Sequence, residues 1–378
     1  MEKRLGIYIH VPFCIRKCAY CDFYSITDFS ILTAYTDALI AQIRAFRPLA
    51  RGYLVDSIFI GGGTPSVLPA RQIGRILSAL RATFRVSPSV EITMEANPGT
   101  LDAENLAGYR EAGVNRLSLG LQSADDGELA RLSRIHTRRT FEESFLLARL
   151  EGFRNINIDL MYALPGQTEQ RLADTLSYAV ALGPEHISFY GLKLEPETPF
   201  GKDPTIASQI PDEDEQYVMY LSSVHTMESA GYTQYEISNF AKDGMECRHN
   251  LKYWHLDEYL GFGPAAYSFF DGKMFSYARD VERFIMNATD LRLLFDEYTV
   301  PSEKELAAEY VMVGFRLRRG IDVADYAARF GDDFDARYAK KMKPFIDRRY
   351  IVKTPEGYRL SLQGMLVSNY ILSEILEF

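Results

Sequence analysis

Gly6-Ile7-Tyr8-Ile9-His10-Val11-Pro12-Phe13-Cys14-Ile15-Arg16-Lys17-Cys18-Ala19-Tyr20-Cys21-Asp22-Phe23 carries three of the chain's four cysteines within eight residues, on a loop after a short β-branched strand. Thiols at this C-x3-C-x2-C spacing can point at one centre. Structural zinc closes its shell with four protein ligands. Three thiolates on a four-iron cluster instead leave one iron open to an exchangeable ligand, a variation on the usual four-cysteine sites. Two plainer readings stand beside this one: a Cys3His zinc site completed by His10, and three unrelated thiols.

The rest of the chain bounds what that centre serves. Its 378 residues exceed one average domain, which predicts one large domain and a smaller one. Apolar content of 47% and charged content of 25% are those of a soluble globular protein. A net charge of −9 argues against a nucleic-acid partner held through its phosphates. No uncharged apolar run reaches the roughly 18 residues of a spanning helix, and the apolar run after Met1-Glu2-Lys3-Arg4 is too short for a signal peptide. Four cysteines, three of them clustered, fit a reducing compartment, so the expected location is cytoplasmic.

From Gly6 to about Leu194 strand-like and helix-like segments alternate. The strand-like runs are Gly6 to Val11, Val55 to Ile60, Val90 to Glu95, Asn115 to Gln122, Asn155 to Tyr162 and His186 to Leu192. Helical periodicity occupies Leu32 to Phe46, Ala70 to Thr83, Ala103 to Ala112, Phe141 to Glu151 and Thr168 to Leu182. Repeated strand–helix units predict an α/β protein with a parallel sheet and right-handed crossovers. Within the strands, Leu117, Leu119 and Leu121 alternate with Ser118, Gly120 and Gln122, and Ile156, Ile158 and Leu160 with Asn155, Asn157 and Asp159. Three further strands set Tyr8 and His10, Thr93 and Glu95, and Ser188 and Tyr190 opposite apolar neighbours. Helices must cover the apolar face, so the polar face looks inward. A closed eight-stranded barrel fills its interior with branched apolar side chains; this lining is polar and small, which predicts an open partial barrel around a ligand cavity.

The cysteine run, with the aromatic Tyr20 before its last thiol, resembles the cluster motif of the radical S-adenosylmethionine (SAM) superfamily. That resemblance implies a 4Fe-4S cluster on Cys14, Cys18 and Cys21, with SAM chelated to the open iron, in a partial (β/α)6 TIM-like barrel. Strand two ends in Gly61-Gly62-Gly63-Thr64-Pro65-Ser66. Consecutive glycines let a backbone approach a ligand closely, although a glycine run alone is more often a turn. Here it is similar to the superfamily's SAM-amino motif, which places Gly62, Gly63 and Thr64 at the cofactor. Tyr8, Glu95 in Glu95-Ala96-Asn97-Pro98, Gln122, Arg134 in Ser133-Arg134-Ile135-His136, and Asp159 match SAM-contacting positions in the superfamily's coproporphyrinogen III dehydrogenase-like branch. Chemically, Arg134 can pair with the SAM carboxylate, and the others can take its amino group, ribose or adenine.

Cys247-Arg248-His249-Asn250-Leu251-Lys252-Tyr253-Trp254 contains the only tryptophan, with His249 and Tyr253 four apart on one face. Composition alone favours a core tryptophan beside a hydrogen-bonded histidine. The pattern His-Asn-x-x-Tyr-Trp resembles the signature of haem chaperones related to that dehydrogenase. The resemblance makes Cys247, His249, Asn250, Tyr253 and Trp254 candidates for contacting haem as cargo, with Cys247 the alternative iron ligand to His249. The following Gly263-Pro264-Ala265-Ala266-Tyr267-Ser268 departs from that branch, which commonly has histidine where Tyr267 stands. The tail from Pro301 reads as helices over Glu303 to Leu317, Val323 to Phe330 and Phe334 to Asp347, a hairpin around Thr354-Pro355-Glu356-Gly357, and a last helix Gly364 to Leu376. It resembles the family's C-terminal domain and predicts a smaller, mainly helical, winged-helix-like unit. The expected divisions are a radical SAM core at 1–232, a linking region with the haem-associated segment at 233–300, and the C-terminal domain at 301–378.

Three features separate a carrier of haem from a dehydrogenase. Phe23 stands where the dehydrogenase has a further cysteine, few residues precede Cys14 where the dehydrogenase has a long extension, and the His-Asn-x-x-Tyr-Trp run is present. The resemblance therefore implies a haem chaperone that passes haem to acceptor haemoproteins such as respiratory enzymes. An electron donor such as flavodoxin or ferredoxin, a homodimer, and membrane association through the acceptor alone are the partner expectations. The alternative is an oxygen-independent coproporphyrinogen III oxidase, and a zinc-stabilised binding module is a third reading.

Overall fold

The computed structural model describes residues 3–376. Strands β1 (Lys3–Val11), β2 (Tyr53–Gly62), β3 (Arg85–Ala96), β4 (Arg116–Gln122), β5 (Ile156–Tyr162) and β6 (His186–Gly191) lie side by side in chain order, all parallel. Helices fill the crossovers at Leu32–Ala45, Ala70–Thr83, Ala103–Ala112, Arg138–Leu150 and Glu169–Ala181, close to the periodic segments. A sixth, Asp126–Arg131, is too short to show a period and is marked by its cap, Asp125, which accepts from Glu128 N. Asp102, Thr137 and Thr168 cap longer helices in the same way, each bond stabilising by about 1 kcal/mol.

The alternation in the strands does what the pattern predicts. Ile7, Ile9, Ile60, Met94, Leu117, Leu119, Leu121, Ile156, Ile158 and Leu160 are fully buried in the core. The polar partners face the concave side, where Glu95 on β3 feels the charge of Asp159 on β5, and Tyr190 on β6 feels both.

The stretch beyond β6 builds both edges of the same sheet. β7 (Thr233–Glu236) and β8 (Asn239–Ala241) extend it past β6, with β8 antiparallel to β6. β9 (Tyr259–Phe262) runs parallel to β1, and β10 (Tyr267–Phe270), β11 (Lys273–Tyr277) and β12 (Phe295–Thr299) continue antiparallel outside it. The full order is β12-β11-β10-β9-β1-β2-β3-β4-β5-β6-β8-β7, so the barrel is open, with β12 and β7 as its end strands among the described residues.

The smaller unit has its own core around Val311, Phe315, Tyr326, Phe334 and Met342. Helices Glu303–Gly314, Val323–Phe330 and Phe334–Asp347 pack on a small antiparallel sheet of β13 (Ile321–Asp322), β14 (Ile351–Lys353) and β15 (Gly357–Leu360), a winged-helix-like arrangement. The single last helix expected from sequence is two, Leu362–Leu366 and Ser368–Ile375, with Val367 between them at φ −108°, ψ 21°. Main-chain contacts join the unit to the barrel, including Arg318 N to Tyr235 O at 2.9 Å.

Helix Arg248–Trp254 lies under the N-terminal ends of β1 and β2. Its Lys252 Nζ meets Asp56 Oδ1 at 2.8 Å with the lysine side chain only 6% exposed. A Cβ at Gly6 would come within 2.7 Å of Lys252 Cδ and 3.2 Å of the His249 ring, so β1 admits the helix only because residue 6 is glycine. Removing one partner of a buried ion pair strands the other charge. Asp56→Ala is therefore expected to destabilise the protein by about 3 kcal/mol in urea unfolding; a loss below about 1 kcal/mol would show that Lys252 finds another partner.

Candidate functional site

The cysteine loop is tied at both ends. Cys14 N donates to Ile26 O at 2.9 Å and Ile26 N to Pro12 O at 2.8 Å, while Ala19 N reaches Leu132 O at 3.4 Å. Cys14, Cys18 and Cys21 are partly buried free thiols. Two of them already receive hydrogen bonds to sulfur: Thr64 Oγ1 to Cys14 Sγ at 3.4 Å and Arg134 Nη1 to Cys18 Sγ at 3.7 Å. Bonds of this kind to ligating sulfur tune a cluster. His10 is committed elsewhere, with Nε2 donating to Tyr24 O at 2.9 Å and Nδ1 accepting from Tyr8 Oη at 3.1 Å. Among the described residues no three His, Cys, Asp or Glu side chains gather as they would around a single ion. The donor set thus fits a multi-iron cluster on three thiols and not a Cys3His zinc site.

The glycine run passes between β1 and β3 with no room for side chains. Gly62 has φ +109°, and a Cβ there would strike the His10 ring at 2.6 Å; at Gly63 it would strike Phe13 O at 2.6 Å. Its backbone donors are engaged within the protein, Gly62 N with Glu95 Oε2 at 3.1 Å, Gly63 N with Val11 O at 2.8 Å and Thr64 N with Phe13 O at 2.7 Å. At the end of β4 a register shift between Gly120 and Gln122, with Gln122 at φ +69°, brings the Gln122 amide beside Gly120 and Arg134. A non-glycine in the left-handed region is a feature of functional sites. Arg134 Nη2 donates to Asn97 Oδ1 at 2.6 Å and Gly120 O at 3.0 Å, and Asn97 Nδ2 donates to Thr64 Oγ1 at 2.8 Å. Gly62, Gly63, Thr64, Gln122 and Arg134 therefore lie at the C-terminal ends of the parallel strands, with Thr64 and Arg134 bonded to cysteine sulfurs, while Tyr8, Glu95 and Asp159 line the interior on β1, β3 and β5. Asn97 belongs with them and was missed, although it continues the alternation Thr93, Glu95 on the inward face.

Inside the barrel burial raises both carboxylates. Burial, with the negative Asp159 nearby, pushes Glu95 up to about 8 against the one downward pull of Gly62 N–H. Burial also raises Asp159, opposed by Asn157, Ser118, Ser188 and Arg116. This pair would welcome a cationic ligand. Arg116, another missed residue, is 2% exposed and starts β4 on the same face as Ser118.

The segment Cys247–Trp254 sits at the other end of the barrel. His249 is fully buried; its Nδ1 meets Ser57 Oγ at 3.0 Å, its Nε2 meets Tyr253 Oη at 2.9 Å, and its ring stacks on Phe59 at 5.6 Å. Burial and the adjacent Lys252 lower it to about 3. Cys247 is equally buried, 3.7 Å from Glu91 Oε1. His249 presents no free nitrogen in this conformation. Trp254 looks away, into a cavity of about 520 Å³ against the C-terminal unit that includes His255, Arg319 and Arg329. Asn250 is half-buried between them. Tyr253 alone of the five opens onto a second cavity, of about 430 Å³, which reaches the cysteine loop at Asp22 and Phe23.

Between the ordinary carboxyl value and about 8, folded Glu95 keeps a proton that the unfolded chain has lost, so stability falls as pH rises through that window. Glu95→Gln is expected to flatten that fall. Urea midpoints measured from about pH 5 to about pH 8 test it; parallel curves for parent and variant would show that Glu95 is ionised in the folded state.

The radical SAM superfamily profile matches residues 8–179, and the HemN C-terminal domain profile matches residues 302–367. The chain is 34% identical to the haem chaperone HemW of Haemophilus influenzae over 97% of each chain, and 34% identical to that of Bacillus subtilis over 98% of each. In architecture it is similar to the coproporphyrinogen III oxidase HemN from Escherichia coli, a radical SAM enzyme, with TM-score 0.86, 22% identity, and 99% of this chain and 90% of that one covered. With 34% identity to haem chaperones along nearly the whole chain and both profiles matched, the chain belongs to the HemW family of the radical SAM superfamily.

Proposed function

We propose that the protein is a haem chaperone that binds haem and passes it to acceptor haemoproteins such as respiratory enzymes. The observation that carries the reading is similarity to haem chaperones along the whole chain, the His-Asn-x-x-Tyr-Trp segment included. Cys14, Cys18 and Cys21 would hold a 4Fe-4S cluster, whose open iron supplies a site for SAM and a route for one-electron reduction. Glu95 and Asp159 supply negative charge to a cationic cofactor, and Arg134 a cation for its carboxylate. Haem would engage the Cys247–Trp254 segment first through Tyr253, the residue that opens onto a cavity continuous with the cysteine loop. His249 and Cys247, the ligand candidates read from the sequence, are engaged with Ser57, Tyr253 and Glu91 and face no cavity as they stand.

A flavodoxin- or ferredoxin-type donor, a homodimer and a cytoplasmic location complete the proposal, with any membrane association running through the acceptor. No helix among the described residues is long and apolar enough to cross a membrane. Phe23, 66% exposed on the cysteine loop, stands where the oxidising relative would carry another thiol, which favours carriage over porphyrinogen oxidation.

The test is a parallel assay of anaerobically reconstituted protein. Iron and sulfide near four each per chain are expected, with stoichiometric haemin binding and no conversion of coproporphyrinogen III under SAM and reductant. Catalytic formation of protoporphyrinogen would replace the chaperone reading with an oxidase; zinc without sulfide would replace it with a binding module.

A further inference from the structure

The cavity beside the cysteine loop has an unusual wall. Six tyrosines line it: Tyr8, Tyr24, Tyr253, Tyr259, Tyr267 and Tyr277. Their elements explain the convergence. Tyr8 is on the inward face of β1, Tyr259 on β9 beside it, Tyr267 and Tyr277 on β10 and β11, Tyr24 just after the cysteines, and Tyr253 rises from the helix below. The rings hold one another, with Tyr253 and Tyr259 edge-to-face at 4.6 Å, and His249 fixes Tyr253 through its hydroxyl. Flat π-faces with polar edges suit a broad planar ligand, and a volume of about 430 Å³ is that of a ligand site.

Several polar groups in this bay, the hydroxyls of Tyr267, Tyr277 and Ser276 among them, lack a hydrogen-bond partner among the described residues. Tyr267 is 55% exposed at the mouth, and no hydrogen bond of its hydroxyl occurs among the described residues. Directly across the β10–β11 ladder stands Ser276, only 2% exposed, whose Oγ is buried without a partner while lining the same bay. A buried hydroxyl left unbonded is costly, which the fold tolerates where a ligand satisfies it. At the rim Arg279 is bound to the Asp22 carbonyl and carboxylate, and Asp296 adds a second acid. This charge balance gives no grip on buried anions, so a dicarboxylate macrocycle would sit with its carboxylates toward water.

We propose that the tyrosine bay is the ferric haem site of the chaperone and that Tyr267 is its iron ligand, with Ser276 Oγ hydrogen-bonding to the bound group. Resting on the haem-chaperone reading, the inference adds the place and the ligand. Tyrosine is an established ligand of ferric haem. The Tyr267 O–H breaks, its proton leaves to solvent, and an Fe–O bond forms with no change in oxidation state. His249 is then a positioning residue: it holds the Tyr253 ring as part of the wall and does not touch iron.

The experiment is a haemin titration of the full chain with resonance Raman and absorption spectra, for the parent, Tyr267→Phe, Tyr267→His, Ser276→Ala and His249→Ala. The parent is expected to show an iron–phenolate signature. Tyr267→Phe, at a half-exposed position where the fold should survive, is expected to lose that signature and bind at least ~10-fold more weakly, while Tyr267→His gives an imidazole-type spectrum. Ser276→Ala should shift the phenolate spectrum, and His249→Ala should weaken binding with the phenolate signature kept. Unchanged affinity and spectrum in Tyr267→Phe, or an imidazole signature in the parent that His249→Ala abolishes, would overturn this inference and leave the chaperone reading intact. Failure of the parent to bind haemin at all would overturn both.

Discussion

Polar side chains turned into the concave face of a sheet have left water, and each must find a partner there or hold a place for a ligand. Much of this molecule follows from that constraint. Asn157 Nδ2 donates to Asp159 at 2.7 Å, His186 Nδ1 donates to Asn157 Oδ1 at 2.6 Å, and the Tyr235 hydroxyl donates to His186 Nε2 at 2.8 Å. Tyr235 in turn accepts from Cys247 N at 3.3 Å. Burial and the Arg116 charge keep His186 neutral, and the Asn157 Oδ1 acceptor draws its one ring proton to Nδ1. A continuous line of bonds therefore crosses the barrel interior from the Asp159 carboxylate to the first turn of the helix beneath it.

That line joins two ends with different tasks. At the C-terminal ends of the strands the backbone is strained and glycine-rich, and groups such as Arg134 and Asn97 are braced toward the thiols, the position where parallel α/β folds bind ligands. At the N-terminal ends, helix Arg248–Trp254 closes the barrel with a buried ion pair and a histidine whose two nitrogens are both used. Breaking such contacts is costly, so the lower helix is held firmly against the barrel. The tyrosine bay lies between these ends, with Tyr253 at one side and the residues after Cys21 at the other.

The sheet extension is what creates the bay. Six parallel strands alone would leave β1 as an edge, open to pairing with other chains. β9 covers that edge in parallel register, and the antiparallel strands beyond it carry the curved wall outward. Residues 233–300 thus serve both edges of the barrel, and their side chains become lining.

Much of this was legible in the linear chain. Alternation with period two named the inward faces of β1, β3, β4, β5 and β6, because neighbouring residues on a strand must point to opposite sides. The cysteine spacing singled out Cys14, Cys18 and Cys21 as the proposed cluster ligands, because three thiols on one short loop are a donor set a cluster can use. Asn97 and Arg116 could have been found by carrying the same alternation one step further. What the chain did not disclose were contacts between segments far apart in sequence. His249 is 192 residues from the Ser57 that occupies one of its nitrogens, and spacing within a helix says nothing of the surface the helix meets. Tyr267 looked like a mere departure from a familiar pattern until β10 placed it opposite Ser276 at the mouth of a cavity. Local periodicity determined which side chains face inward; only the packing of the lower helix and the added strands decided which remain free to meet a ligand, because pairing partners are chosen by distance in space.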